Sequence, residues 1–511
     1  MHISVFMGPI AMNEAQDLPQ IELCIDQSIR AAEAGIAMVT FGEQHFGGSE
    51  PYSNPFMMGS RLAPHLGRTW FGTTIVPLPF HNPLRLAEES NLLDLLTRGR
   101  FLLGMSAGRV GMAPDFKIFD VDPEDRVDSF MSKLDYLERA RLVKAGDAPL
   151  IMDSKWDSGG LFGRMMPVSW RRGGAQLAIG SNTPAMIAAA AERGLPVFLG
   201  PTPKDKAAEL FARHRDLMAE AGLSAAVQAD AARKSLVTRQ VFVGTTEEDG
   251  WATAEAMAGR MPMMNRVDDH RSFQEMARVP VEAVEDGSEQ FPANVNFLRS
   301  WVTAGGPDDV VRDILAYRDL GVQQLNVRFN TGMFHKDLVE KSFRLFVDEV
   351  LPNIGNELFP DLVDDELEPV HLGRTREGGL LADATDPAYV APSGAAPMRE
   401  RIRVAGAPTV DPSGAWKLEI RTPMGVSKYD LDLAADGGEV TGTATDHSGS
   451  LEVRSGVVDG DELSFVVEAK LPFPMSIRFS LEVDGDAMSG TSQAGVFPPA
   501  PATAKRAVLV G

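Results

Sequence analysis

One cysteine in 511 residues, Cys24, rules out any intrachain disulfide framework. Basic residues are also scarce: 49 Lys and Arg stand against 71 Asp and Glu, a formal net charge of −22. Nucleic acid and anionic membrane surfaces both require a basic footprint, so neither is expected as a partner. No apolar run reaches the ~18–20 residues that span a bilayer. The chain opens on a strand-like run, His2 to Met7, rather than on a charged segment followed by an apolar one. We therefore expect no signal peptide and a cytoplasmic protein. What is abundant is apolar side chain, at 44% of residues, and at ~150 residues per domain the length allows two to four globular domains.

The first 350 residues alternate short apolar runs with helical periodicity. His2–Met7, Ile36–Phe41, Trp70–Val76 and Phe101–Met105 read as strands, and so do Gln176–Ile179, Val197–Leu199, Arg239–Val243, Phe297–Thr303 and Gln324–Phe329. Most are followed by a helical stretch, such as Asn82–Leu96, Pro203–Ala221 or Pro307–Leu320. Parallel βα units also build open doubly wound sheets, but about eight strands in this length favour a (β/α)₈ TIM barrel with insertions, residues 1–352. Residues 353–410 are acidic, then rich in Gly, Ala, Asp and Pro, and read as a linker or draped arm. From residue 411 to 511 the pattern changes to period two, with turn signals at Asp436-Gly437-Gly438, Asp459-Gly460-Asp461 and Asp484-Gly485-Asp486. About eight short strands there predict a small all-β antiparallel barrel or sandwich, either a structural module or a ligand-binding barrel.

In a (β/α)₈ barrel the chemistry sits on the loops after the strands. The sequence places Gly42-Glu43-Gln44-His45-Phe46, Thr73-Thr74, His81-Asn82-Pro83, Ser106-Ala107-Gly108-Arg109 and Ser181-Asn182-Thr183-Pro184 on such loops. The last has a mechanism of its own. Thr183 can N-cap a helix that starts on Pro184, and the hydroxyls of Ser181 and Thr183 with free backbone N–H groups would cradle a phosphate. An ordinary capped helix has the same pattern. Glu43 and His45 alternate along a strand end, yet an isolated Glu-x-His lacks further metal ligands nearby, so no metal is expected. Ser106 has no evident base for a nucleophile's role. Met112–Pro114, Lys155–Trp170 and Met261–Glu289 are the expected pocket walls or lids, with their methionines as adaptable apolar surface.

Several longer runs resemble the luciferase-like flavin monooxygenase family. They are AAEAGIAMVTFGEQHF, FGTTIVPLPFHNPLRLAEESNLLDLLTRGRFLLGMSAGR, DFKIF, GSNTP with AAERGLP, and GGPDDVVRDILAYRDLGVQQLNVRF with FVDEVLP. The segments GAWKLEIRTPMG and VVDGDELSF resemble, less specifically, a lipocalin-like β-barrel. The resemblance implies reduced FMN, or in some branches reduced deazaflavin, bound at the strand C-termini. A separate, transiently bound flavin reductase would supply it. It also implies oxygen activation as a flavin hydroperoxide, a small hydrophobic substrate and a homodimer. Carried over, the cofactor-binding residues are Glu43, Thr73, Thr74, Ser106, Arg109, Ser181, Asn182 and Thr183, with Thr74-Ile75 where the family often has a non-proline cis peptide. The catalytic candidates are Gln44, His45 and His81. Two departures stand out. Gln44 replaces the histidine that acts as base in luciferases, and Ala107 replaces a phosphate-holding arginine, a loss for which Arg109 would have to compensate. Glutamine does not exchange protons near neutrality but can orient a carbonyl or peroxide. With Ser106 where luciferases carry a thiol, light emission is not expected, whereas hydroxylation and Baeyer–Villiger oxidation both remain open. A deazaflavin-dependent oxidoreductase and a non-catalytic flavin-binding protein are the alternatives.

Overall fold

The computed structural model describes residues 1–8, 10–45, 50–108, 113–259, 261, 264–330, 335–372, 409–422, 425–446, 449–469, 475–494 and 499–507. The chain divides into two compact units, one carried by Met1–Lys144 and Pro149–Asp386, the other by Ala145–Ala148 and Pro387–Gly511.

Eight parallel strands form the core of the first unit: β1 (His2–Phe6), β2 (Met38–Phe41), β3 (Trp70–Thr73), β4 (Phe101–Ser106), β5 (Gln176–Gly180), β6 (Val197–Leu199), β7 (Leu236–Val243) and β8 (Gln324–Arg328). Each pairs with the next, and β8 returns to β1 through Val5 opposite Val327, so the sheet closes into a TIM barrel. The strands are almost wholly buried, as expected where helices cover the outside and side chains fill the inside. Two helices start on the same device. Asn54 and Asn82 each accept two backbone N–H bonds through the side-chain oxygen, and Pro55 and Pro83 follow at the first helical position, where a missing N–H costs nothing.

One expected strand is wrong. Phe297–Thr303 is not extended: Pro292–Trp301 is a helix that buries Asn294, Val295, Phe297 and Leu298 on one face, and only Val302–Gly305 is a strand. It pairs with Gln240–Val243 at the far end of β7 instead of entering the ring. The apolar run was ambiguous by content, and its i, i+1, i+3, i+4 spacing decided the outcome. Among the further elements that went unanticipated are helices at Arg126–Ala140 and Ala225–Lys234 and a hairpin of Leu150–Asp153 with Ser158–Leu161.

At the N-terminal ends of the strands, Met38, Trp70 and Leu236 pack with Trp170, Phe359 and Leu362 into a separate apolar cluster. Beside it lies Asp94, fully buried, accepting the Arg171 N–H at 2.9 Å. Burial raises its carboxyl from an ordinary 3.8 to about 6. A carboxyl raised by folding favours the folded state below its unfolded value and loses that contribution as pH climbs through its folded one. The Asp94→Asn variant, which does not titrate, is therefore expected to gain stability relative to wild type between pH 4 and pH 7. Urea denaturation at those two pH values measures the difference.

The second unit is a closed antiparallel barrel of eight strands from Gly414–Thr422 to Ala500–Arg506, each paired with its sequence neighbour and the last with the first. This settles barrel against sandwich. Two of its hairpin turns use Gly460 and Gly485 at positive φ, the conformation a two-residue turn demands. Inward residues such as Trp416, Leu418, Leu431, Phe465 and Phe479 form one buried core. His447 lies outside the described residues.

Candidate functional site

The strand C-termini of the first unit surround a cavity of about 630 Å³. Its wall takes residues from four of the loops singled out in the sequence, including Gln44, Thr74, Ser106 and Asn182.

On the β2 side, Glu43 is buried and joins two imidazoles. His45 Nε2 lies 2.7 Å from its Oε1, and His81 Nε2 lies 2.9 Å from both carboxylate oxygens. Burial would raise the Glu43 carboxyl, but the bonds from His45 and His81 outweigh it, and the pKa falls below the ordinary value. An ionised Glu43 fixes both rings as Nε2–H donors. Behind it, the buried Lys133 ammonium donates to the His81 carbonyl at 2.9 Å and to Asp157 Oδ1 at 2.8 Å. His45 also meets the Phe119 ring edge-on, with centroids 4.5 Å apart.

On the next loop, the Thr74–Ile75 peptide is cis, as the resemblance implied. Two glycines make room for this stretch. A Cβ on Gly104 would sit 2.2 Å from the Thr73 carbonyl oxygen, and one on Gly180 would sit 2.7 Å from the Ile75 side chain. The Thr74 N–H donates to the Phe41 carbonyl at 2.8 Å and its hydroxyl to Thr40 at 2.9 Å. Thr40 in turn donates to Asn326, and Asn326 to Thr238, so polar side chains cross the top of the barrel.

After β5, Ser181 and Thr183 stand at the start of the helix Pro184–Glu192. Their hydroxyls lie 3.0 Å apart, and Ser181 Oγ accepts the Thr183 N–H at 3.1 Å. Thr183 holds the N-cap position, but its side chain caps no helical N–H, contrary to an ordinary capped helix. Asn182 faces the neighbouring loop instead: it donates to Thr202 at 2.7 Å and accepts the Gly200 N–H at 2.8 Å. The same wall contains Arg126, which donates to the Pro123 carbonyl at 2.9 Å and has no acidic partner among the described residues.

Of the residues expected from sequence, Glu43, Gln44, His45, Thr74, Ser106, Ser181, Asn182 and Thr183 line one cavity. His81 and Thr73 do not. His81 stands behind Glu43, and the Thr73 hydroxyl donates into the barrel wall, to the Gly104 carbonyl at 2.8 Å. Arg109 and Met112 lie outside the described residues. Lys155–Trp170 and Met261–Glu289 contribute nothing to the wall among the described residues, and Met165 and Met264 are core packing. Trp301, just beyond the second excursion, lines the cavity instead. Sequence reasoning missed Arg126, although there was a signal. A cation in the first turn of a helix opposes the helix dipole, and such local misfits concentrate at functional sites. Among the described residues no group of His, Cys, Asp and Glu could hold a metal ion, and no helix is long and apolar enough to cross a membrane.

The luciferase-like monooxygenase family model matches residues 2–324, most of the barrel unit. The chain belongs to that family. Among family relatives, it is 33% identical over 115 residues to 4-hydroxyprotoasukamycin monooxygenase of Streptomyces nodosus subsp. asukaensis, covering 22% of this chain and 30% of the relative. It is 34% identical over 105 residues to limonene 1,2-monooxygenase of Rhodococcus erythropolis, covering 20% and 27%. The aligned part thus spans less than a third of the length of these curated relatives. Two solved structures share the fold over about 70% of this chain. The monooxygenase RslO1 from Streptomyces bottropensis gives a TM-score of 0.54 at 20% identity over 69% of this chain and 99% of that one. The oxygenating constituent of 3,6-diketocamphane monooxygenase from Pseudomonas putida, a type II Baeyer–Villiger monooxygenase in complex with FMN, gives 0.52 at 18% identity over 70% and 100%.

Proposed function

We propose that this chain is the oxygenase component of a two-component system. It takes reduced FMN from a separate reductase and inserts one atom of O₂ into a small hydrophobic organic substrate, by hydroxylation or Baeyer–Villiger oxidation. The observation that carries the reading is the uncapped helix start at Ser181 and Thr183 facing the cavity, with Arg126 in the same wall. A helix N-terminus with two hydroxyls and an arginine fits a phosphate monoester. The glycine-lined passage of Thr73–Ile75 gives a planar ring backbone to lie against, where a Cβ at Gly180 would collide. The first feature favours a flavin that carries a phosphate over one that does not.

Bound reduced FMN would supply the two electrons that activate oxygen, so that substrate, O₂ and reduced flavin yield oxygenated product, water and oxidised flavin. The chain supplies the rest. Ionised Glu43 holds His45 at the cavity with its Nε2 proton pinned, Gln44 presents a carboxamide that orients without exchanging a proton, and His81 braces the pair from behind. The apolar portion of the wall, with Phe6, Phe198 and Trp301, keeps water from the reacting centre.

Anaerobic titration with reduced FMN and reduced riboflavin tests the phosphate site. FMN is expected to bind more tightly, and Arg126→Ala to lose about tenfold in FMN affinity with riboflavin unchanged. Oxygen uptake with a reductase over ketone, terpenoid and aromatic substrates tests the reaction. No FMN preference and no coupled product would sink the proposal, whereas tight deazaflavin binding without oxygen uptake would favour the hydride-transfer alternative.

A further inference from the structure

Several polar side chains in the cavity wall are already engaged. Glu43 holds two histidines. Arg328 donates to Glu50 at 3.0 Å and to the Gly8 carbonyl at 3.3 Å, with its guanidinium over the Phe6 ring at 4.7 Å. Thr238 accepts from Asn326. Gln240 is different. It stands one pleat beyond Thr238 on β7, directly opposite Arg328 on β8, at the point where β7 leaves β8 to pair with Val302. It is 1% exposed and lines the cavity, yet its carboxamide oxygen is buried without a hydrogen-bond partner. In that orientation the NH₂ end is the one left to the cavity. No described residue accepts from that NH₂, so a ligand in the cavity is the acceptor left to it, while the buried oxygen stays unpartnered.

We infer that Gln240 is a specificity-determining residue of this site, donating a hydrogen bond to a carbonyl oxygen of an uncharged substrate such as a ketone or quinone. The inference rests on the cavity being the substrate site proposed above. Charge supports the uncharged class. Arg328, the neighbouring cation, is committed to the buried Glu50 carboxylate, so an anionic substrate would have to displace that pair. Gln44, across the cavity, adds a second carboxamide and no charge. The surrounding Phe6, Leu236 and Trp301 accept the hydrocarbon remainder. A site whose buried donor is left unpaired discriminates against an analogue lacking the acceptor far more sharply than an apolar wall distinguishes shapes.

The test is calorimetric titration of the full chain with two matched pairs, camphor against bornane and 1-tetralone against tetralin, without flavin and then with FMN. The ketone of at least one pair should bind about tenfold more tightly than its hydrocarbon. Gln240→Leu should abolish that preference by weakening the ketone alone, and Gln240→Glu, which keeps a polar group there but removes the donor, should do the same. Equal binding of both members, binding of neither, or a preference that survives both substitutions overturns the inference. Absence of FMN binding with an intact ketone preference would instead count against the flavin reading alone.

Discussion

Lys133→Met should lower the free energy of unfolding by about 3–5 kcal/mol, the usual cost of stripping one partner from a buried ion pair. The two side chains are 7% and 4% exposed, and Asp157 Oδ2 has no hydrogen-bond partner, so the carboxylate depends on this ammonium for its main counter-charge. Chemical denaturation of the variant reads the loss directly. Adding Asp157→Asn should recover most of it, because the penalty is that of the stranded charge rather than the worth of the pair. Function should not follow stability back. Lys133 also anchors the His81 carbonyl, and His81 braces Glu43, so the double variant is expected to fold well and turn over poorly. If oxygenation recovered together with stability, Lys133 would have no positioning role.

Gly104→Ala ranks next, at ~3 kcal/mol, the upper end of the ordinary range for overpacking. The new methyl would lie 2.2 Å from the Thr73 carbonyl oxygen and 2.4 Å from the Phe198 ring. A side chain could swing aside, but a carbonyl in a barrel strand has nowhere to go. The Thr73 hydroxyl bonds back to the Gly104 carbonyl, so the two strands would part exactly where the chain leads into Thr74 and Ile75. The expected result is a lower thermal midpoint together with weakened FMN binding. A variant with wild-type stability would show that β3 and β4 shift apart more freely than their burial implies.

The barrel was legible because each of its strands is a short apolar run set off by capping chemistry, and Asn82-Pro83 marks a helix start almost to the residue. The Ser181–Thr183 turn was legible for the same reason. Phe297–Thr303 was not, since its aromatic and β-branched residues suit a strand as well as a buried helix face, and the helical spacing shows only when Asn294 and Val295 are counted with Phe297 and Leu298. The tie between His81 and Glu43 spans 38 residues and arises from barrel closure, which no local pattern encodes. Gln240 had still less to reveal it. In a strand read as uniformly buried, one glutamine looks like a tolerated polar residue until the position of its oxygen is known.

The packed interior of the C-terminal barrel has a consequence for how that unit can act. Trp416 is buried in it, its indole N–H bonded to the Pro412 carbonyl and the Arg506 guanidinium laid over its ring at 4.2 Å. Phe465 and Phe479 stack 4.6 Å apart within the same core. Among the described residues the unit's open space includes a hollow of about 270 Å³ beside that stack, lined by Ser464, Phe465, Arg478, Phe479 and Gln493. A small molecule held there would lie against polar side chains and two phenyl rings rather than in the packed core around Trp416.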